Sequence, residues 1–254
     1  MAHKIMIKYF NVKAIEELKR NTQVAPAGFR YGYAKGIINK DIYEELIATF
    51  PDVSKFQFID KQSGGGRKSF YVGPNYYSGK NWGSVRHMDV LPNIWQKVLR
   101  ESADPALVDL LQDATGIKMN SLCNFGFTYG REGSVQEPHI DGAARPNDPA
   151  PVHASITFLM YFNKEHGGSS GTVIYAPDRK TALFQVPDLR DSISFFEQHQ
   201  AAWHGFPMVP KGEDRRLVSL SYSQEKKPTK ISSSLFSYIG ARIKAKWKGT
   251  SFHY

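Results

Sequence analysis

Apolar residues recur every three to four positions in four segments of the first half of the chain, which is the spacing of helices with one buried face. These segments predict helices at about 12–20, 39–49, 89–100 and 105–115. The fourth is the best delimited. Asp104 is a suitable N-cap, Pro105 fits the first helical position, and Gly116 follows the last turn.

After residue 117 the pattern changes to short runs of β-branched and aromatic residues, separated by turns rich in Gly, Pro, Asn and Asp. Strands are predicted at 121–129, 154–163, 172–176, 182–186, 192–196 and 217–223, in addition to 4–10 and 31–38 in the first half. Short strands at this spacing are typical of an antiparallel sandwich or barrel. The predicted fold class is therefore α+β, with N-terminal helices buttressing a β-barrel.

No Pro/Ser-rich linker divides the chain, so residues 1–224 are predicted to form one domain, with helical support at about 1–116 and a barrel core at about 117–224. Residues 225–254 form a basic C-terminal extension, in which 232–246 could be an amphipathic helix that docks on the domain or touches an anionic surface. The Gly-, Ser- and aromatic-rich segment 62–83 predicts mobile loops that could close over a pocket. Its GGGRKS sequence lacks the spacing of a phosphate-binding loop.

Composition sets broad limits on function. The 254 residues are 41% hydrophobic and 13% aromatic, as in a globular protein. The net charge of +9 favours anionic partners without selecting one. A single cysteine excludes an intrachain disulfide and fits a reducing compartment. No apolar run approaches transmembrane length and lysines interrupt the N-terminus, so a cytoplasmic protein is expected.

The candidate chemistry centres on a His-x-Asp pair, His139 and Asp141. Residues two apart in a strand project from the same face, so both side chains could bind one metal ion. A third ligand would come from a neighbouring strand, and His199 and His204 both follow the apolar run ISFF. We prefer His204, because it precedes the Gly-Phe-Pro segment that leads into the last strand.

The span 117–224 resembles the catalytic core of the Fe(II)- and 2-oxoglutarate-dependent oxygenases, most closely the branch that includes prolyl 4-hydroxylases. The resemblance rests on five motifs in order: Tyr129, Gly133 and HID at 139–141; ITFLMYFN at 156–163; GGSSGTVIY at 167–175; SISFFEQHQAAWHGF at 192–206; and DRRLVSLSY at 214–222. A serine-glycine insertion in the third motif departs from the usual spacing. The resemblance implies a double-stranded β-helix, a jelly-roll or cupin-like barrel.

The resemblance also implies that His139, Asp141 and His204 hold Fe(II), that O2 and 2-oxoglutarate are cosubstrates, and that ascorbate could serve as reductant. The distal carboxylate of 2-oxoglutarate would need a cation, and Arg215 and Arg216 are the candidates. They point to opposite faces of the last strand, and we expect Arg216, which shares the more apolar face, to line the barrel interior. The resemblance places the hydroxyl of Tyr129 on the same carboxylate.

The resemblance implies hydroxylation of an unactivated C–H bond, or a related oxidation, because Asp141 occupies a position that the related halogenases leave for chloride. A small metabolite such as an amino acid is the expected substrate and a protein side chain the alternative, while no base-stacking motif supports a nucleic acid. Arg131 and Arg145 flank the ligand pair and could bind an anionic substrate. A barrel that binds metal without catalysis and an interaction protein acting through its basic tail are the competing hypotheses.

Overall fold

The computed structural model describes residues 7–73, 91–141 and 154–224. Several sequence predictions fall wholly or partly outside these residues: the first part of the strand at 4–10, the loop residues 74–83, the start of the helix at 89–100, Arg145, and the C-terminal helix at 232–246. Of residues 7–10, only Phe10 forms a bridge, to Ile38.

Four α-helices are present in the described residues, at the predicted places: α1 (Val12–Arg20), α2 (Lys40–Ala48), α3 (Asn93–Ser102) and α4 (Pro105–Thr115). The side chain of Asn11 caps α1 by accepting the amide of Lys13, and Asp104 caps α4 by accepting the amide of Ala106. Gly116 ends α4 with a φ of 67°, a left-handed conformation that glycine adopts without steric cost. The predicted start and end of α4 are therefore confirmed.

Twelve strands of the described chain form one curled antiparallel sheet. In chain order they are β1 (Gln23–Val24), β2 (Arg30–Lys35), β3 (Gln57–Ser63), β4 (Gly66–Val72), β5 (Ser121–Gly130), β6 (Val135–His139), β7 (Ala154–Phe162), β8 (Val173–Tyr175), β9 (Ala182–Gln185), β10 (Arg190–Glu197), β11 (His204–Phe206) and β12 (Arg215–Ser223). Their order across the sheet is β1-β2-β10-β7-β12-β5-β4-β6-β11-β8-β9, with β3 paired to β4.

The five central strands β2, β10, β7, β12 and β5 have two different faces, because neighbouring residues in a strand point to opposite sides. The outer face carries Phe127, Phe158 and Val218, which pack in one apolar core with the four helices. The inner face carries Leu159, Tyr161 and Leu217, which form a second core with residues of β8. Because the sheet curls, residues of β8 and β11 pack against this inner face, as Ile174 and His204 show.

The segment 62–83 departs from the prediction of mobile loops as far as it is described. Residues 62–72 belong to a regular hairpin of β3 and β4, paired from Gln57 with Val72 to Ser63 with Gly66. Gly64 and Gly65 form its turn with φ values of 70° and 101°, as two-residue hairpin turns require. For residues 62–72 the loop prediction was wrong, because Gly64 and Gly65 supply the positive φ of a tight turn. Strand β4 also pairs with β5 and β6 and so joins the two halves of the curled sheet.

Candidate metal centre

The end of β6 and the start of β11 bring the candidate ligands together. His139 and His204 are directly paired across these antiparallel strands, and their ring centroids lie 4.2 Å apart. Asp141 follows β6, and its Oδ1 atom lies 3.4 Å from Nε2 of His139 and 3.6 Å from Nε2 of His204. One ligand atom from each residue lies within 4.8 Å of the others. His199, the alternative, instead stacks on Phe29 with centroids 6.0 Å apart.

Hydrogen bonds of the two imidazoles determine which nitrogen faces the centre. Nδ1 of His139 lies 3.1 Å from the carbonyl oxygen of Glu137, and Nδ1 of His204 lies 2.9 Å from that of Ala202. A carbonyl oxygen only accepts, so in each neutral ring Nδ1 carries the proton and Nε2 presents a lone pair. Both lone pairs and the carboxylate oxygen of Asp141 therefore converge on one point.

The electrostatics favour the metal-binding protonation states of His139 and Asp141. Burial, reinforced by the neighbouring His204, lowers the pKa of His139 to about 4, so its imidazole is neutral near pH 7. Burial by itself would raise the pKa of Asp141, but the two histidines outweigh it and hold that pKa well below its ordinary value. Two imidazole nitrogens and one carboxylate form the donor set that Fe(II) takes in a facial triad.

Two glutamines that the sequence analysis missed contact the ligands. Nε2 of Gln198 donates to Oδ2 of Asp141 at 3.0 Å and to Oγ1 of Thr157 at 2.7 Å, which leaves Oδ1 as the oxygen that faces the histidines. Nε2 of Gln136 lies 3.1 Å from Nε2 of His139. Gln198 is the second polar residue after the apolar run ISFF, and no sequence pattern indicates its partner.

The two candidate arginines lie on opposite faces of β12, as predicted. Arg216, however, lies on the outer face and Arg215 on the inner face, which is the reverse of the expectation. The face of Arg216, Val218 and Leu220 packs toward the helices, so the expectation that it lines the barrel interior is wrong. Arg216 forms an ion pair with Asp214 at 2.8 Å. Tyr129 is its cross-strand partner and therefore lies on the same outer face. The more apolar face of β12 was expected to line the interior, but it is the face that the helices cover.

Arg215 instead lies on the inner face and is 4% exposed. Its guanidinium donates to the carbonyl oxygen of Ser170 at 3.0 Å and to Oγ1 of Thr172 at 2.7 Å, and it lies 4.1 Å from the centroid of the Phe206 ring. Burial lowers its pKa, yet an arginine stays charged. No carboxylate of the described residues lies within 4.0 Å of it, so the barrel interior contains a buried cation without an anionic partner.

The buried arginine and the candidate metal centre share one inner surface. Thr172, which accepts from Arg215, lies two positions before Ile174, the cross-strand partner of His204. The ring of Phe196, on the inner face of β10, lies 4.0 Å from that of His204. The hydroxyl of Tyr161 also donates to Thr172, at 2.7 Å. The sequence analysis did not assign Tyr161 or Thr172, although alternation along ITFLMYFN places Tyr161 on the same face as Thr157.

The remaining candidate, Arg131, is exposed in the turn between β5 and β6, with its guanidinium 5.0 Å from the ring centroid of Tyr71. It is therefore not among the inner-face residues that surround the ligands. Within residues 7–73, 91–141 and 154–224, no helix is both long and apolar enough to cross a membrane.

No protein-family model and no curated protein matches the chain. Solved structures do. A 2OG-Fe(II) oxygenase family oxidoreductase from Burkholderia pseudomallei is similar with a TM-score of 0.56 and 12% identity, over 88% of this chain and 95% of that chain. The fold is that of the 2OG-Fe(II) oxygenases. A prolyl-4-hydroxylase from Pseudomonas putida is similar with a TM-score of 0.55 and 10% identity, over 85% and 100% of the two chains.

A third structure with this oxygenase fold is the non-heme alpha ketoglutarate dependent epimerase SnoN from nogalamycin biosynthesis, with a TM-score of 0.53 and 14% identity over 87% of each chain. Identities this low establish the double-stranded β-helix and no more. The predicted fold, including the buttressing helices, is confirmed.

Proposed function

We propose that this protein is an Fe(II)- and 2-oxoglutarate-dependent oxygenase that hydroxylates a C–H bond. The observation that carries the proposal is the convergence of His139, Asp141 and His204 on one point at the inner surface of the oxygenase fold. Two imidazole nitrogens and one carboxylate oxygen would hold Fe(II) and leave the remaining coordination positions to the cosubstrates. When bound, the metal supplies the oxygen activation that is coupled to decarboxylation of 2-oxoglutarate into succinate and CO2.

Arg215 is the proposed partner for the distal carboxylate of 2-oxoglutarate. Its guanidinium is a buried cation without a carboxylate among the described residues, and it shares the inner surface with His204. A cosubstrate carboxylate would supply the missing charge, and Tyr161 and Thr172 lie close enough to hydrogen-bond to it. Arg216 already has Asp214 as a partner and lies on the other face.

The protein's own contribution would be to position and to exclude water. The carbonyl groups of Glu137 and Ala202 fix the two imidazoles, and Gln198 fixes the carboxylate of Asp141 by holding the oxygen that does not face the histidines. The rings of Phe196 and Phe206 line the interior between the ligands and Arg215, so the cosubstrate would lie in a dry environment in which charge interactions are strong.

For the substrate, we propose a small molecule. Proteins with this fold include one named as a prolyl-4-hydroxylase and one named as an epimerase of nogalamycin biosynthesis, so the fold itself leaves the substrate open. A protein side chain is the second candidate, and a barrel that binds metal without catalysis is the alternative from another class.

The test is anaerobic loading of the purified protein with Fe(II) and 2-oxoglutarate, followed by addition of O2 and measurement of succinate. We expect succinate that depends on Fe(II) and O2, and its loss in His139→Ala. Glu137→Gln is the matched control, because it changes the neighbouring side chain while the backbone carbonyl that orients His139 is retained. Equal succinate from wild type and His139→Ala would show that the assigned site is wrong, and binding of Fe(II) without any succinate would favour the non-catalytic barrel.

A further inference from the structure

The inner face of the central sheet has a polar end. Asn124 on β5, Ser221 on β12 and Thr157 on β7 are consecutive cross-strand neighbours, since Ser221 pairs with both Asn124 and Thr157. Oγ1 of Thr157 and Oγ of Ser221 lie 3.2 Å apart. Buried aromatic and aliphatic residues cover the outer face of the same strands at this level, so three polar side chains in one row on the inner face are a distinct feature.

This polar row, Asn124, Ser221 and Thr157, is joined directly to the candidate metal centre. Gln198 bridges Oγ1 of Thr157 and Oδ2 of Asp141 with hydrogen bonds of 2.7 and 3.0 Å. A group bound along the row would therefore lie a few hydrogen-bond lengths from the metal. Arg215 lies six residues from Ser221 along β12, so the row and the proposed cosubstrate anchor occupy opposite ends of the inner face.

The row is neutral and incompletely satisfied. Among the described residues, Oδ1 of Asn124 is buried and has no hydrogen-bond partner. A buried acceptor without a donor costs free energy, and a ligand N–H or O–H would remove that cost. Between Arg215 and the end of β12, the inner-face residues of this strand are Leu217, Ser219 and Ser221, and none is charged.

Space is available next to the row. Gly126 follows Asn124 on the inner face of β5, and a Cβ atom built on it would meet, among the described residues, only Oγ of Ser219, at 3.5 Å. The residues around it, Asn124, Ser219 and Ser221, are partly exposed, whereas the outer-face residues Phe125, Leu220 and Tyr222 are buried. The inner face is thus open at its polar end.

We propose that the polar row of Asn124, Ser221 and Thr157 is the substrate subsite of this protein, and that it binds an uncharged hydrogen-bonding group, an amide or a hydroxyl, whose donor meets Oδ1 of Asn124. The proposal rests on the proposed function and deepens it by giving the substrate class. The sequence allowed an anionic substrate bound by Arg131 and Arg145. The polar row instead favours a substrate whose group beside the metal centre is uncharged.

The test uses four probes with one carbon skeleton: butyramide, n-butanol, butyrate and n-butylammonium. Each is titrated by ligand-observed NMR into the full-length protein loaded with Fe(II) and 2-oxoglutarate under anaerobic conditions, so that Arg215 is occupied and butyrate cannot bind there. We expect the amide and the alcohol to bind at least about fivefold more tightly than either charged probe, because a charged group would be desolvated against neutral partners.

Two variants locate the binding. Asn124→Asp is isosteric and keeps an acceptor at this position, so it should raise the affinity for n-butylammonium relative to butyramide roughly tenfold or more, since an anion now faces the probe. Asn124→Leu removes the acceptor without adding charge and should remove the preference for butyramide. Asn11→Asp, which keeps an N-cap oxygen on α1 far from the row, is the matched control for added charge and should behave as wild type.

The proposal would be overturned if no neutral probe bound, if all four bound equally, if a charged probe bound best, or if both Asn124 variants kept the wild-type order. These outcomes are separate from failure of the proposed function. Succinate formation without added substrate and binding of 2-oxoglutarate are measured independently, on wild type and on the control Asn11→Asp, so a failure of the proposed function shows there first.

Discussion

The two faces of the central sheet are made by the same strands, yet they differ in chemistry. On the outer face, Phe158, Val218 and Tyr222 pack with the helices in the larger apolar core. On the inner face, Arg215, Thr157 and Ser221 alternate with them along β12 and β7. The outer face buries the apolar area that stabilises the fold, whereas the inner face places polar groups where water is excluded, which costs stability unless they have partners.

The largest expected effect comes from breaking the outer face. Trp95 of α3 is fully buried, and its ring packs edge-on against Phe127 and Phe162 at centroid distances of 5.0 and 4.8 Å. Trp95→Ala should lower the free energy of unfolding by about 3–5 kcal/mol, because it removes a large apolar contact and leaves a cavity. Urea unfolding measures this loss. In the fraction that stays folded, Fe(II) affinity should be unchanged, and a loss below about 1 kcal/mol would contradict the assigned role of this face.

The variants Arg215→Met and Arg216→Met test whether Arg215, and not Arg216, binds the distal carboxylate of 2-oxoglutarate. We expect Arg215→Met to raise the KM for 2-oxoglutarate by about 30-fold or more, since removing one partner of a buried charge pair costs about 2–5 kcal/mol. Its stability without cosubstrate should change little, because methionine replaces an unpaired buried charge by an apolar side chain. Arg216→Met should leave that KM within about threefold of wild type. A raised KM for 2-oxoglutarate in Arg216→Met, with an unchanged KM in Arg215→Met, would indicate that the cosubstrate binds at the outer face.

The arginines also show how far sequence alone reaches. Periodicity located the helices and most strands, and motif order selected the three candidate ligands that the structure brings together, because these signals are local or tied to fixed spacing. The alternation of side chains along a strand correctly placed Arg215 and Arg216 on opposite faces of β12. It could not show which face the helices cover, since that depends on tertiary packing. The contacts of Gln198 with Asp141 and Thr157 join residues far apart in the chain and leave no local signal.

Two mid-strand glycines sharpen the comparison of the faces. A Cβ at Gly32 of β2 would meet Cε1 of Phe195 at 2.6 Å, inside the outer core, whereas at Gly126 the one contact with the described part of the chain is to Oγ of Ser219, at 3.5 Å. Gly32→Ala should therefore destabilise the protein by about 1–3 kcal/mol through overpacking. Gly126→Ala should be neutral or stabilising by up to about 1 kcal/mol, because alanine restricts the unfolded chain. Thermal unfolding distinguishes them, and equal losses would show that the inner face is as tightly packed as the outer.

The smallest expected effect concerns Asp191, at the β-bulge between Arg190 and Ser192, where β10 begins. Burial raises the pKa of its carboxyl from 3.8 to about 6, and its Oδ1 has no hydrogen-bond partner among the described residues. A folded-state pKa above the unfolded value means that the folded protein binds the proton more tightly. Stability from this group is therefore complete below about pH 3.8 and is lost as the pH rises through about 6.

Asp191→Asn should remove this pH dependence. The difference between the two pKa values corresponds to about 3 kcal/mol, which partial exposure reduces to about 1 kcal/mol. Asparagine also suits the backbone, because Asp191 has a φ of 47°. We expect the variant to be more stable than wild type at pH 7 and equally stable at pH 4, as measured by urea unfolding at both values. A gain at pH 4 as large as at pH 7 would mean that the backbone conformation, and not the buried carboxylate, is the source of the effect.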